Sequence, residues 1–379
     1  MKRTAYLAFD IYPSAKGAAT HIFHFSTALF DWYKGGYLFV LGNDKFPIYQ
    51  KEDTVEIFRF LAAEPNYLHR AQLFTDWVLQ KIENLPSIEL IHFRDIWGGL
   101  AALNVTKKRK TVFEVNSLTS IELPYKYKLS DSTLSKIREL ELFCLNGADE
   151  IIVPSQVVKN KLVNLGIAIE KITHISNGAD IVQANEKPQN APEKYLLYFG
   201  ALQTWQGIDI LLKAFAGLQD FSDLKLVIIS SNREKFAKPY IKLAEKLAIL
   251  ENTLWFFQLP KEELNLWISN AYLTVAPLAE TARNIEQGCS PLKIFESLAA
   301  ATTVVASDLE VVREIITNNE TGKLVRADRP AELSRAIRYL LDFPDENKRI
   351  AENGFHLIQN NFLWQKKIEE LIGVYKKLV

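Results

Sequence analysis

Cysteine is almost missing from this chain: Cys144 and Cys289 are the only two in 379 residues. Two widely separated thiols give neither a disulfide framework nor the ligand spacing of a zinc site, and a reducing compartment is the default. Net charge is missing too, with 45 Lys plus Arg set against 45 Asp plus Glu. The chain therefore lacks the basic footprint that nucleic-acid binding normally leaves, and no nucleic-acid partner is expected. No apolar window reaches the roughly 18 residues that would span a bilayer. The N-terminal MKRTAYLAFDIYPSAKG carries two basic residues, but Asp10 and Pro13 break its apolar run before it reaches the length of a signal peptide. The expectation is a cytoplasmic protein, with peripheral contact at the inner face of a membrane left open. No G-x-G-x-x-G occurs, which disfavours a nicotinamide or flavin cofactor.

What is present is ordinary globular material. Hydrophobic residues make up 48% and charged residues 24%, a balance that excludes disorder and fibrous repeats. The length predicts two domains, each able to bury its own core. Short apolar runs alternate with helical patterns, which argues α/β with mainly parallel sheets. Strands are predicted at 4–9, 37–41, 90–93, 110–115 and 150–153, with amphipathic helices at 21–33, 73–82 and 132–146. After Asn177–Asp180 the stretch IVQANEKPQNAPEK has two prolines and no periodicity, and reads as a linker. A second series follows, with strands at 195–199, 225–229, 253–257 and 273–276 and helices between them. Helices at 331–341, 346–361 and 363–378 close the chain. The expected division is a first domain at 1–180, a linker at 181–194, a second domain at 195–361 and a terminal helical segment at 362–379. Both domains are doubly wound and Rossmann-like, with ligands beyond the carboxyl ends of the strands and a cleft between the units as the expected active site.

The most informative segment is PLAETARNIEQGCSPLKIFESLAAATTVVASD, from Pro277 to Asp308. It reads as a strand end, a long polar loop, a helix start and another strand. Lys293 and Glu296 fall at the helix start. A carboxylate one turn into a helix can accept hydrogen bonds from a ribose diol, while a lysine and the free amides of a helix N-terminus suit a diphosphate. The plainer alternative for Glu296 is dipole capping, but a lysine in a first turn is disfavoured unless an anion is near.

On these residues the chain resembles the donor-binding signature of family-4 glycosyltransferases, retaining enzymes of the two-domain GT-B fold. Within that family it is similar to a subgroup whose loop reads Arg283, Asn284, Gln287, Gly288, Cys289, Pro291, Leu292, Lys293 and Glu296. The resemblance implies a nucleoside diphosphate sugar of UDP or GDP type as co-substrate, no separate cofactor, and a C-terminal helix crossing back to the first domain. It also implies a glycan, lipid-linked or small-molecule acceptor. Gly200, Gln206, Asn284, Gly288, Cys289, Ser290, Pro291, Leu292 and Glu296 are the expected donor contacts. Cys289 has no partnered histidine and reads as a small loop residue rather than a nucleophile.

The sequence departs from the family pattern in two places. An arginine and a lysine that usually hold the donor phosphates are replaced by Ala201 and Gln206, so Arg283 and Lys293 are the candidates to supply the charge. The Trp205–Gln206–Gly207 variant resembles the same subgroup, which makes the two departures look coupled. The second departure is that the residue eight before Glu296 is Gly288, not a glutamate. Glu280, or else Glu286, is then the candidate sugar-contacting carboxylate, against the alternative of a solvated loop acid. No Asp-x-Asp occurs, which fits a metal-independent GT-B site.

In the first domain, SAKGAATH joins a strand to a helix, and Gly17 and Ala18 resemble the family's glycine-containing loop facing the donor pyrophosphate. IHFRDIWGG and FEVNSLTSIELPYKYK put His92 and Arg94, then Glu114 and Asn116, at strand ends. His92 is a candidate for proton transfer with a structural role as the alternative, and Arg94, Glu114 and Asn116 are acceptor-side candidates. Tyr125 and Tyr127 could stack on an acceptor or simply pack. The function expected is retaining hexosyl transfer; the alternatives are a catalytically silent GT-B subunit and a sugar-nucleotide epimerase.

Overall fold

The computed structural model describes residues 3–61, 63–85, 88–182 and 186–378. Gln183–Asn185, inside the expected linker, lie outside the described residues. The chain divides into two compact units: Met1–Ser14, Ala18–Ser176 and Ile368–Val379 form the first, and Ala15–Gly17 with Asn177–Lys367 form the second.

The first unit is built on β1 (Arg3–Ile11), β2 (Gly36–Leu41), β3 (Tyr49–Glu52), β4 (Val55–Phe60), β5 (Ile88–Phe93), β6 (Lys110–Glu114), β7 (Glu150–Val153) and β8 (Ile172–His174). Their spatial order is β3-β4-β2-β1-β5-β6-β7-β8, parallel throughout except for β3, which turns back antiparallel on β4. Alternation explains β1: Ala5, Leu7 and Phe9 enter one apolar cluster, while Tyr6 and Ala8 are buried on the opposite face, as expected for a strand covered by helices on both sides.

The second unit contains β9 (Lys194–Gly200), β10 (Leu224–Ser230), β11 (Thr253–Phe257), β12 (Leu273–Ala276), β13 (Val304–Ser307) and β14 (Lys323–Val325), in the order β11-β10-β9-β12-β13-β14. Its described pairings are parallel. On β9, Leu196 and Tyr198 enter one core, and Tyr195, Leu197 and Phe199 the other. The order reverses between β9 and β12, the switch point where ligands of such sheets bind.

Several elements went unread in the sequence. Strand β3 is polar and largely exposed at the sheet edge, and the helix Ile96–Leu103 hides behind IWGGLAAL. Asp95 starts that helix by accepting from the Gly98 N–H at 2.9 Å, and a Cβ at Gly99 would lie 2.7 Å from the Phe93 ring, so the glycine marks close packing rather than a turn. The described residues of 181–194, the expected linker, count with the second unit, where Val182 and Ala191 pack against the Tyr195–Trp267 cluster. The final helix is Trp364–Lys376, and from Ile368 onward it counts with the first unit, where Tyr375 is fully buried. No helix among the described residues is long and apolar enough to cross a membrane.

Candidate functional site

In the second unit the loops after β9 and β12 are locked together by a glycine. Gly207 takes a left-handed φ of 66°, and a Cβ there would lie 1.8 Å from the Pro277 carbonyl oxygen; only glycine fits. The Trp205 carbonyl accepts from the Ala279 N–H at 3.0 Å and from Asn284 Nδ2 at 2.8 Å. Asn284 donates again to the Ala279 carbonyl at 2.8 Å. The Arg283 guanidinium lies 5.3 Å from the centre of the Trp205 ring and donates to Asn284 Oδ1 at 3.0 Å. The Trp-Gln-Gly and Arg-Asn segments are thus one interlocked structure, which is the physical content of their coupling.

The polar loop is more ordered than its composition suggested. Arg283–Gln287 forms one π-helical turn, a form concentrated at functional sites. Gly288 follows with φ 84° and returns its N–H to the Arg283 carbonyl at 3.1 Å. Cys289 is buried, which pushes its thiol up against the opposing pull of Arg283, so it is no nucleophile. Ser290 is held by Asn177, whose N–H and side-chain amide donate to its Oγ at 3.1 Å and its carbonyl at 2.6 Å.

Pro291 precedes the helix Leu292–Ala299 and offers no side-chain cap, its carbonyl accepting from the Ile294 N–H at 3.0 Å, which leaves the Leu292 and Lys293 N–H groups for another acceptor. Two buried hydroxyls fix this helix to β12: Ser297 donates to the Lys293 carbonyl at 2.6 Å, and Thr274 lies 2.8 Å from Ser297 Oγ. Ile294, Phe295 and Leu298 are fully buried on its inner face. Lys293 is therefore held in place, with Nζ 2.6 Å from Gln206 Oε1 and 4.0 Å from the centre of the Tyr198 ring. Its burial lowers the amine to about 7, against the pull of Glu296. Neither Lys293 nor Arg283 has a carboxylate partner among the described residues, and the buried Arg283 Nε has no hydrogen-bond partner there. Gly200 ends β9 beside Lys293, 3.5 Å from its Nζ as measured from a Cβ position.

Glu296 points the other way and pairs with Lys261, the first residue of the helix Lys261–Ser269. Glu280 is exposed, its N–H donating to Asp328 Oδ2 at 3.1 Å, and Glu286 is exposed on the π turn. Both lie outside the buried Lys293–Gln206 contact.

In the first unit, the candidates converge on one carboxylate. Glu114 is 2% exposed at the end of β6. It accepts from Tyr6 at 2.5 Å and Arg94 Nε at 3.1 Å, and His21 Nδ1 and His92 Nε2 lie at 3.2 and 3.3 Å. Asn116 Nδ2 donates to it as well. Burial opposes its ionisation, yet hydrogen bonds from His21 and His92 and the charge of Arg94 hold it well below the usual carboxylate range. With three hydrogen-bond donors and two imidazoles close by, Glu114 organises its neighbours from a buried position. His92 is fully buried, with Nδ1 2.8 Å from the Tyr375 hydroxyl; sealed from solvent, it is a packing and positioning group and not a proton carrier facing substrate. Arg94 continues outward to Asp10 at 2.9 Å, and Asn116 lies beside the hub. Gly17 and Ala18 open the helix Gly17–Tyr33, Gly17 exposed and Ala18 half-buried.

Comparison with known proteins identifies the family of the chain. Residues 15–183 match Glycosyltransferase Family 4, and residues 181–357 match Glycosyl transferases group 1. An uncharacterized glycosyltransferase of Methanocaldococcus jannaschii is 23% identical over 408 residues, covering 100% of both chains. A sucrose-phosphate synthase structure from Thermosynechococcus elongatus superposes with a TM-score of 0.80 at 18% identity, covering 100% of this chain and 99% of that one. An Anabaena protein solved in complex with UDP-glucose gives 0.77 at 16% identity over 100% of both chains. The chain is a family-4-like glycosyltransferase of the GT-B fold.

Three contributors to this glycosyltransferase site escaped the sequence reading. Tyr198 carries no signal, since it reads as one more core aromatic of a buried strand. Lys261 precedes two glutamates at an unremarkable helix start, more than a turn of sequence from anything in the signature. Asn177 was visible only as the opening of a turn, and its hold on Ser290 needs the fold.

Proposed function

We propose that this glycosyltransferase is a retaining hexosyltransferase, moving a sugar from a nucleoside diphosphate of UDP or GDP type to a hydroxyl of a glycan, lipid or small molecule. One observation carries the reading. Arg283 and Lys293 are brought to the carboxyl ends of β9 and β12, beside the Gly288–Ser290 turn, with no carboxylate to neutralise either among the described residues. Such a pair suits an anion with two phosphate groups. The Anabaena neighbour, titled as a UDP-glucose complex, supports that donor class.

In this reading Arg283, Lys293 and the amides at the start of Leu292–Ala299 stabilise the charge that grows on the departing diphosphate. Glu296 leaves Lys261 and accepts from the ribose hydroxyls. The departing phosphate assists removal of the acceptor proton, so the chain supplies position and charge stabilisation and no protein nucleophile. The two cations take the part a divalent ion plays at other diphosphate sites. On the acceptor side, Arg94 is anchored by Glu114 and presents Asp10, whose side chain is 39% exposed.

A second reading, a silent subunit that binds a nucleotide without transfer, draws on Ala201 and Gln206 in the slots of the two family cations. Lys293 beside Gln206 weakens it, because the ammonium is supplied from another position. Incubation with a panel of nucleotide sugars separates the two. Slow release of free nucleoside diphosphate, with retained anomeric configuration in the product by NMR once an acceptor is found, supports transfer. Binding of a nucleotide sugar with no turnover across the panel sinks it.

A further inference from the structure

Lys293 is a buried amine whose surroundings, among the described residues, contain acceptors but no counter-ion. Its amine meets the amide oxygen of Gln206 and the face of Tyr198. Glu296, on the same helix, gives its carboxylate to Lys261 instead. The charged and titratable groups around it are few: Glu296 and the Cys289 thiol favour a proton on the amine, and Arg283 on the π turn opposes one. Burial outweighs them and brings the amine to about 7. The Tyr198 face attracts an ammonium, but Gln206 accepts from amine and ammonium alike. Neither replaces a negative charge.

We propose that donor binding loads a proton onto Lys293, and that Gln206 and Tyr198 are positioning residues that hold the uncharged amine ready. The inference rests on the reading of this pocket as the diphosphate site. The proton balance is simple: the nitrogen lone pair takes one proton from water or buffer, and the resulting ammonium faces the phosphate oxygens. Before binding, a neutral amine avoids burying a lone charge. With a diphosphate alongside, the ordinary preference for the ammonium returns. Gln206 fits this device better than a lysine would, because a second ammonium in place of the amide oxygen that Lys293 meets would drive Lys293 further from protonation. The consequence is a donor affinity that falls by up to roughly tenfold per pH unit above neutrality, where a proton must be drawn from solution on binding.

The test is calorimetric titration of the full chain with UDP, then GDP, then ADP, in HEPES and in Tris, whose ionisation heats differ. At about pH 8 the terminal phosphate of the nucleotide, with a pKa near 6, is already ionised and contributes no proton of its own. The expected result is net proton uptake on nucleotide binding, because burial leaves the amine largely unprotonated at that pH. In Lys293→Arg the nucleotide still binds and uptake vanishes, since a guanidinium stays charged. In Gln206→Glu uptake also falls, because the new carboxylate keeps the ammonium charged beforehand. Wild-type binding without uptake overturns proton loading; if Lys293→Met still weakens binding, the diphosphate reading survives that result. Unchanged affinity in a folded Lys293→Met protein, or no binding of any of the three nucleotides, overturns the diphosphate reading and the inference with it.

Discussion

Removing the Glu296 carboxylate tests the donor site most directly. Its side chain is 16% exposed, and its partner Lys261 is 46% exposed, so the pair is a surface ion pair worth under about 1 kcal/mol. Two charge-assisted hydrogen bonds to a ribose diol are worth more: Glu296→Ala should weaken UDP or GDP binding by about 1–3 kcal/mol, roughly 5–150-fold in Kd. Lys261→Ala removes only the competing partner, so it should shift Kd by less than about fivefold and in the direction of tighter binding. The two substitutions break the same ion pair, and stability cannot tell them apart; each should lower Tm by no more than about 4 °C. Affinity does tell them apart. Calorimetry with either nucleotide is the assay, with dichroism to establish folding. Equal affinities for wild type and Glu296→Ala, or equal losses in both variants, would refute the ribose role.

The remaining predictions concern the scaffold and the charge. Arg283→Ala and Lys293→Ala should each lower kcat more than they raise acceptor KM. Gln206→Lys should partly restore turnover to Lys293→Met yet impair the wild type, where it replaces the acceptor of Lys293 with a second ammonium; steady-state kinetics on the four proteins decides this, and an active wild-type Gln206→Lys contradicts it. Gly207→Ala should cost more than about 2 kcal/mol, seen as a lower urea midpoint, because its φ is 66° and the new Cβ collides with the Pro277 carbonyl. Glu114→Gln should cost about 3–5 kcal/mol at neutral pH by leaving Arg94 and its neighbours short of charge. The sign with pH follows from a folded-state value depressed despite burial: the stabilisation is complete above the unfolded carboxylate value near 4.3 and is lost as pH falls below it. The acid side of the wild-type stability curve should therefore be steep and that of Glu114→Gln flatter.

The alternation of short apolar runs with amphipathic helices is a local property, and it was enough to give two doubly wound units. The stretch PLKIFESLAAATTVVASD likewise carried its own meaning, because a helix start, its capping pattern and its flanking strands are set by neighbours in sequence. What lay beyond reach was every relation between segments far apart in the chain. Nothing local says that Trp205 stacks beneath Arg283, that Gln206 receives Lys293, or that Asn177 ties down Ser290. The same limit misplaced His92 and Glu114. A histidine or carboxylate at a strand end looks the same in sequence whether it opens to solvent or is closed over, and the closing groups here are Tyr6, His21 and Tyr375, supplied by β1, the first helix and the last. Sequence thus determined which elements form and which residue types reach the sheet ends. Tertiary packing decided which of those groups gather several donors, as Glu114 does, and which are left buried without a counter-charge among the described residues, as Lys293 is, because desolvation and partner geometry depend on what the rest of the chain brings within a few ångströms.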